Sequence, residues 1–324
     1  MLKYLPLVLA LSASVAGAQD QSVIKVDVDI VNVLFSVHNK ANGLVGNLEK
    51  KNFQIFEDGK EQEVKYFTRE TDLPLTIGLL VDTSKSQERL MDTERRAASQ
   101  FFTKVLRQKD LAFLMQFGAE AELLQDNTSS PRLLQDGLNQ LRLSVPVGGL
   151  HPGPVPTQQS QAGTILFDAV FLAADEKLRH EVGRKAMVLI TDGVDTGSRI
   201  SREKAIEAAQ KADAIVYSID YEDAAAYGRP FGTITIGGGG GQGERDLSKM
   251  STETGGRVFR VDRKNSLDDI FRDIQEEMRS QYAIGYSSSN PKKDGGYRKI
   301  EIRVDTKDYK VQARKGYYAI EKEN

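Results

Sequence analysis

Residues 75–86 read LTIGLLVDTSKS, and this stretch decides the fold class of the chain. Its first part, residues 75–81, is a continuous apolar run, as expected for a β-strand that is covered on both faces. The run ends at Asp82, where the pattern Asp-x-Ser-x-Ser begins and continues with Ser84 and Ser86. The stretch therefore predicts a buried strand with a cluster of oxygen-bearing side chains at its carboxyl end.

Predicted strands and helices alternate from Pro74 to Ser280. Further apolar runs predict strands at residues 111–117, 186–190, 214–219 and 257–261. The spacing of apolar residues predicts a helix whose apolar face contains Leu90, Ala97, Phe101 and Val105. Further helices are predicted from Pro131, over residues 165–178 and from Ser266. Because such alternation is typical of parallel sheets, we predict an α/β fold over residues 73–280, with a doubly wound, mostly parallel sheet.

Both ends of the chain show the period-two pattern of β-strands. Apolar residues alternate from Ile24 to Ile30 and change parity at Val31, which predicts a bulge or a strand that changes sheets. Asp58-Gly59 predicts a hairpin turn. The apolar residues around that turn are Phe53, Ile55, Val64 and Tyr66. After Ser280 the alternating apolar residues are Tyr282, Ile284 and Tyr286, then Ile300, Ile302 and Val304, then Val311 and Ala313.

Each end by itself has too few strands for a stable sandwich. We therefore predict that residues 22–72 and 281–320 pair into one smaller all-β, sandwich-like domain, into which the α/β domain is inserted. The alternative is two separate flaps that lie on the α/β core.

Residues 1–18 read as a secretory signal. Lys3 supplies the charged start, Leu5 to Ala13 form a short apolar stretch, and Ala16-Gly17-Ala18 fits a cleavage site. A retained N-terminal anchor is the alternative. No later window approaches a membrane span, so we expect an exported protein, periplasmic or secreted, without a transmembrane segment in the mature chain.

The composition excludes several classes of site. The chain has no cysteine, which excludes disulfides, thiolate metal sites, iron–sulfur clusters and a cysteine nucleophile. Its three histidines form no HExxH pair, which argues against zincin chemistry. The formal net charge of -2 gives no overall basic field, so we expect no nucleic-acid partner.

Three segments supply the residues of a predicted metal site. Asp82, Ser84 and Ser86 follow the first strand, Thr164 opens a helix, and Asp192 follows a later strand. Loops at the carboxyl ends of strands converge at one edge of a doubly wound sheet, so these side chains are expected to meet. Their hard oxygen donors suit Mg²⁺ or Mn²⁺, with Ca²⁺ as a further candidate, and suit Zn²⁺ less well. The alternative is a rim of capping residues without a metal.

These residues make the chain resemble a von Willebrand factor type A domain with a complete metal-ion-dependent adhesion site. The resemblance covers about Leu73 to Ser280 and fills all five motif positions, from Asp82 to Asp192. The flanks resemble the bacterial exported subgroup of that family. The flanking matches are Asn52-Phe53, Glu57-Asp58-Gly59 and the RKGYY sequence at residues 314–318.

The resemblance implies how such a site works. Ser84, Ser86 and Thr164 are expected to contact the metal directly, and Asp82 and Asp192 partly through water. One coordination position stays open, and in the family an Asp or Glu of a partner protein commonly fills it. The resemblance thus implies an adhesion or interaction module and not an enzyme. Two alternatives are a structural envelope protein, in which the metal only stiffens loops, and a metal-dependent hydrolase.

Weaker signals accompany the motif. Asp195 is expected either to tune the site or to cap a loop, and Asp168 either to bond a loop or to lie on a polar helix face. Gly237 to Gly241 lacks the Lys-Ser/Thr of a phosphate-binding loop and is expected to be a linker-like loop. His151 is expected to be a loop residue and not a ligand.

Overall fold

The computed structural model of the protein describes residues 30–69, 73–144, 163–222 and 241–321. The predicted signal at residues 1–18, the apolar alternation before Ile30 and the loop that contains His151 lie outside these described residues.

The described elements form a small β-sandwich and an α/β domain. The first strands are β1 (Ile30–Asn39), β2 (Phe53–Glu57), β3 (Lys60–Gln62) and β4 (Val64–Arg69), with a 3₁₀ turn at Lys50–Asn52. The α/β part contains β5 (Leu75–Asp82), a 3₁₀ turn (Lys85–Gln87), α1 (Met91–Val105), β6 (Leu111–Phe117), β7 (Ala121–Thr128), α2 (Pro131–Leu138), α3 (Leu166–Leu172) with a π-helical continuation (Ala173–Leu178), β8 (Arg184–Thr191), α4 (Arg202–Lys211), β9 (Ala214–Asp220), α5 (Gln242–Thr254), β10 (Val258–Arg260) and α6 (Leu267–Arg279). The last strands are β11 (Tyr282–Ser287), β12 (Tyr297–Val304), β13 (Tyr309–Ala313) and β14 (Gly316–Tyr318).

The central sheet has the strand order β10-β9-β8-β5-β6-β7, and only β7 is antiparallel to its neighbour. All residues of β5 and β8 are buried, because one apolar core lies beneath α1, α2 and α6 and another beneath α3, α4 and α5. The chain leaves β5 toward β6 and leaves β8 in the opposite direction, toward β9. The switch in strand order therefore lies between β5 and β8, where ligands bind in doubly wound sheets.

Three elements of this domain were not predicted from the sequence. Strand β7 lies at the sheet edge, is partly exposed and pairs with β6 through shifts of register, so it has no continuous apolar run. Helix α4 buries mainly alanines, and α5 buries polar residues such as Asp246, Ser251 and Thr254. Such faces give a weak apolar periodicity, which explains why both helices escaped prediction.

Two four-stranded antiparallel sheets form the sandwich, with the strand orders β13-β1-β11-β4 and β14-β12-β2-β3. Each sheet combines strands from both ends of the chain, since β1 pairs with β11 and β13, and β2 pairs with β12. Their facing sides share one apolar core, in which the rings of Phe35 and Tyr282 stack with centroids 5.5 Å apart. The predicted fold class is confirmed; the domain boundaries at residues 22–72, 73–280 and 281–320 stay a prediction.

The hairpin at Asp58-Gly59 is shorter than the sequence pattern indicated. Both turn residues have positive φ, 49° and 82°, as a tight type I′ turn requires, and β2 pairs there with β3. Val64 and Tyr66 lie on β4, which pairs with β11 in the other sheet. The apolar residues after the turn therefore extend the opposite sheet, because the chain crosses between the sheets after Gln62.

Candidate metal centre

The carboxyl ends of β5 and β8 bring most of the predicted site together. Asp82 is the last residue of β5, and Asp192 follows the end of β8 directly. The two strands are parallel neighbours, with Val81 paired to Ile190. The register alone therefore places both carboxylates at the switch point of the sheet.

A chain of hydrogen bonds connects four of the five predicted ligands. The Ser84 amide donates to Oδ1 of Asp82 over 2.8 Å, and the Ser84 and Ser86 hydroxyls are 3.0 Å apart. The Ser86 hydroxyl then donates to Oδ2 of Asp192 over 2.7 Å. The first and third predicted segments thus meet in one contiguous group of oxygen atoms.

Thr164 is held by partners outside this group. Its amide donates to Oγ1 of Thr196 over 3.0 Å, and its carbonyl accepts from the amides of Thr196 and Gly197. These partners of Thr164 are not among the other four predicted ligands. The structure therefore attaches the second predicted segment to the loop that follows Asp192.

Asp168 and Asp195 fix α3 against the same loop. Both carboxylate oxygens of Asp168 accept from the Arg199 amide, and one also accepts from the Ile200 amide. Asp195 accepts from the hydroxyl of Ser198 and from the amide of Phe167 at the start of α3. Their hydrogen bonds therefore hold the loop and the helix start, as the loop-bonding interpretation of Asp168 and the capping interpretation of Asp195 predict.

The Asp82 carboxylate is buried and accepts hydrogen bonds at both oxygens. Oδ2 accepts from the Thr191 hydroxyl over 2.6 Å, while Oδ1 accepts from the Ser84 amide. Burial raises its pKa to about 6, the negative charge of Asp192 acts in the same direction, and the hydrogen bonds from Thr191 and Ser84 oppose the shift. A cation placed between the carboxylates would favour their charged forms.

Gln87 is a buried neighbour of the site that the sequence analysis missed. Its Nε2 lies 3.4 Å from Oδ2 of Asp192 and 3.2 Å from the Tyr221 carbonyl, to both of which it donates. Its Oε1 is buried and has no partner in the described structure. Gln87 directly follows Ser86, but a glutamine after the motif carries no sequence signal for this contact.

Glu94 is a second residue that the sequence analysis missed. It is fully buried on α1, and both carboxylate oxygens lack a hydrogen-bond partner among the described residues. Burial raises its pKa well above the usual value, and the charge of Asp82 contributes. Its spacing from Leu90 and Ala97 places it in the apolar face of α1, which is the signal that would have identified it.

The start of α5 packs against the Asp192 loop. Gly193 has a φ of 77°, and a Cβ on Gly243 would lie 2.6 Å from the Asp192 carbonyl oxygen. The glycine-rich stretch at residues 237–241 therefore leads into a helix at the site; residues 237–240 lie outside the described ranges.

The donor set fits a hard divalent cation that is bound mainly by hydroxyl and carboxylate oxygens. Within the described residues, no group of three or more His, Cys, Asp or Glu side chains is placed to hold a metal. The centre has two carboxylates and the Ser84 and Ser86 hydroxyls beside them. Such oxygen donors suit Mg²⁺, Mn²⁺ or Ca²⁺ better than softer metals.

Several solved structures resemble the chain. Von Willebrand factor type A domains are among them. The domain of the type V pili tip protein Mfa5 from Porphyromonas gingivalis matches with a TM-score of 0.46 and 12% identity, over 64% of this chain and 95% of that one. BatB from Bacteroides thetaiotaomicron, a conserved hypothetical protein, matches with a TM-score of 0.45 and 18% identity. That match covers 63% of this chain and 97% of BatB.

Proximal thread matrix protein 1 from the mussel byssus, whose structure has a zinc-occupied MIDAS motif, matches with a TM-score of 0.47 and 14% identity. That match covers 69% of this chain and 50% of the byssus protein. No protein-family model and no curated protein matches the sequence. These likenesses concern the fold alone and do not establish the metal ligands.

Proposed function

We propose that this protein is a metal-dependent protein-binding module. The observation that carries the proposal is the hydrogen-bonded group formed by Asp82, Ser84, Ser86 and Asp192 at the switch point of the sheet. These four residues and Thr164 would hold one divalent cation, Mg²⁺ or Mn²⁺, with Ca²⁺ as a further candidate. The cation would supply a strong positive charge to a ligand that approaches the carboxyl edge of the sheet.

The electrostatics of the centre support a cation and an acidic partner. Asp82 is buried close enough to Asp192 for the charge of one to disfavour the charge of the other, and a bound cation removes this repulsion. Neutral hydroxyls neutralise less of the cation's charge than carboxylates do, so the cation would still attract an external carboxylate. We infer that an Asp or Glu of a partner protein completes the site.

Binding is favoured over catalysis by the surroundings of the centre within the described residues, which do not include His151. His38 lies on β1 in the sandwich, and His180 precedes β8, at the opposite end of that strand from Asp192. Neither is placed to act as a general base for a metal-bound water. We therefore propose no enzymatic activity.

An exported location is part of the proposal. It rests on the predicted signal at residues 1–18, with either the periplasm or the outside of the cell as the destination. None of the helices in the described parts of the chain combines the length and apolar character needed to cross a membrane.

Calorimetric titration of the full chain with Mg²⁺ and Mn²⁺ tests the metal site. We expect Asp82→Asn and Ser84→Ala to weaken metal binding by at least about tenfold, since each removes an oxygen group of the centre. The exposed Asp92→Asn and Ser129→Ala are matched controls that should bind metal normally. Normal metal affinity in folded Asp82→Asn protein would refute the assignment of the ligands.

A pull-down from envelope extract, with and without EDTA, tests partner binding. The expected result is a protein that is captured only with metal and is lost in Asp82→Asn. If a folded Ser84→Ala variant still captured the partner in EDTA, this result would contradict metal-dependent adhesion. In that case the metal, if bound, would only stiffen the loops.

A further inference from the structure

A groove of about 380 Å³ lies where the sandwich meets α4, and we call it the junction groove. The side chains that matter for the argument are Lys211, Lys292, Lys293, Arg314, Tyr317 and Tyr318. Lys211 ends α4 shortly before β9 begins, so the groove lies at the amino edge of the central sheet. The candidate metal centre lies at the carboxyl edge, which makes the two sites separate.

The charge of the groove favours an anionic ligand. Four cationic side chains line it, whereas the only carboxylate among its lining residues in the described structure is Asp213. Asp213 is already paired with Arg314. Lys211 pairs with Glu207 on α4 over 2.7 Å, and Lys292 is exposed in the loop after β11. The four cationic side chains of the lining therefore outnumber its one described carboxylate.

Two tyrosines give the groove rigid apolar walls. The Arg314 guanidinium lies 5.7 Å from the ring centroid of Tyr317, and the Lys211 ammonium lies 5.3 Å from that of Tyr318. The Tyr317 hydroxyl donates to the buried carboxylate of Glu57 over 2.9 Å, which fixes the ring. Cations over fixed aromatic rings form a surface that contacts both aliphatic and acidic groups.

One strand edge faces the groove. Strand β13 pairs with β1 only from Phe35 onward, so the residues from Ile30 to Leu34 are paired to a described strand on one side only, by β11. The Asn32 carbonyl, on the other side, accepts from Nη2 of Arg314 over 2.8 Å. In the described structure, Nε of Arg314 is buried without a hydrogen-bond partner. An incoming extended chain would meet this strand edge beside the Arg314 guanidinium.

We propose that the junction groove binds an extended acidic segment of a partner protein. Aspartate or glutamate side chains would pair with Lys292, Lys211 and Lys293, and intervening aliphatic side chains would lie on Tyr317 and Tyr318. The strand edge favours an extended peptide over a compact anion. Because this site uses none of the metal ligands, the protein would contact two partners at opposite edges of its central sheet.

Fluorescence anisotropy with the full chain in EDTA tests the groove, since EDTA removes the contribution of the metal centre. The probe is a labelled peptide of alternating valine and aspartate, and its control has lysine in place of aspartate. We expect Lys292→Glu to weaken binding of the acidic peptide about tenfold, and added salt to weaken it further. Lys307→Glu, in the exposed loop between β12 and β13, should leave binding unchanged.

Three results would overturn the proposal. The first is equal affinity for the valine–lysine peptide, and the second is binding that Lys292→Glu does not change. The third is tighter peptide binding by the full-length variant Asp27→Lys/Asp29→Lys, because it would identify the chain's own acidic N-terminal segment as the occupant. Failure of the metal centre would leave all three readouts unaffected, so the two proposals are tested independently.

Discussion

At the scale of single residues, Glu94 is a destabilising group beneath the candidate metal centre. The carboxyl is fully buried and unpartnered in the described structure, and its pKa is raised well above 4.5. The folded state therefore keeps this proton to a higher pH than the unfolded state does. The effect of Glu94 on the free energy of unfolding therefore depends on pH. The folded state is favoured most below about pH 4.5, and this advantage is lost as the pH rises toward the folded-state pKa.

We expect Glu94→Leu to raise the free energy of unfolding by about 1–3 kcal/mol at pH 8, because it removes a buried polar group that has no partner. The gain should be smaller at pH 4, where the carboxyl is neutral in the folded state and mostly neutral in the unfolded state. Urea denaturation in EDTA at the two pH values measures it. Exposed Glu88→Leu is the control, and a loss of stability in Glu94→Leu at both pH values would contradict the prediction.

At the scale of elements, the start of α5 and the Asp192 loop are in direct backbone contact. A Cβ on Gly243 would lie 2.6 Å from the Asp192 carbonyl oxygen and 2.8 Å from the Gly193 carbonyl carbon. Backbone atoms cannot give way as a flexible side chain does. The close approach of the two segments therefore requires glycine inside the helix, although alanine normally favours helices.

We expect Gly243→Ala to lower the free energy of unfolding by about 1–3 kcal/mol and to weaken Mg²⁺ binding, because the added methyl displaces the Asp192 loop. Gly241→Ala is the matched control, since a Cβ there would meet nothing within 4 Å. Denaturation and calorimetric titration of both variants measure the two effects. Unchanged metal affinity in Gly243→Ala would show that α5 does not position Asp192.

At the scale of the whole molecule, Glu277 connects the α/β domain to the sandwich. This buried carboxylate on α6 accepts from Nε of Arg257 over 2.9 Å and from the side-chain amide of Gln312 on β13. On β1, the Ser36 hydroxyl lies 3.5 Å from Oε1, and Nε2 of His38 lies 3.7 Å from Oε2. One side chain thus gathers polar partners from both domains.

We expect Glu277→Ala to lower the free energy of unfolding by about 2–4 kcal/mol, since it leaves buried polar partners unsatisfied. Glu277→Gln should cost less, because it keeps a hydrogen-bonding group of the same size. Hydrogen exchange should accelerate in β1 and β13 and much less in β6. Exposed Glu276→Ala is the control, and uniform acceleration in all three strands would show that Glu277 does not act at the junction.

The strand that ends at Asp82 and the capping serine of α6 follow from the sequence, because each has a local pattern with a definite structural consequence. The pairing of both chain ends was predicted for another reason, namely that each end by itself has too few strands for a sandwich. Ser266 caps α6 with its side chain, as predicted. Only the tertiary structure decided that Val64 and Tyr66 join the opposite sheet, because strand pairing depends on where the chain crosses.

The sequence by itself predicted which oxygen-bearing residues belong to the candidate site, and their role as metal ligands stays a prediction. Asp82 and Asp192 were identified because they follow apolar runs, and Thr164 because it opens a helix. The tertiary structure decided how they are connected: strand register places Asp82 near Asp192, and the loop after Asp192 holds Thr164. It also identified Gln87, Glu94 and the junction groove. Burial and charge at these places arise from segments far apart in the chain, and no local pattern records such contacts.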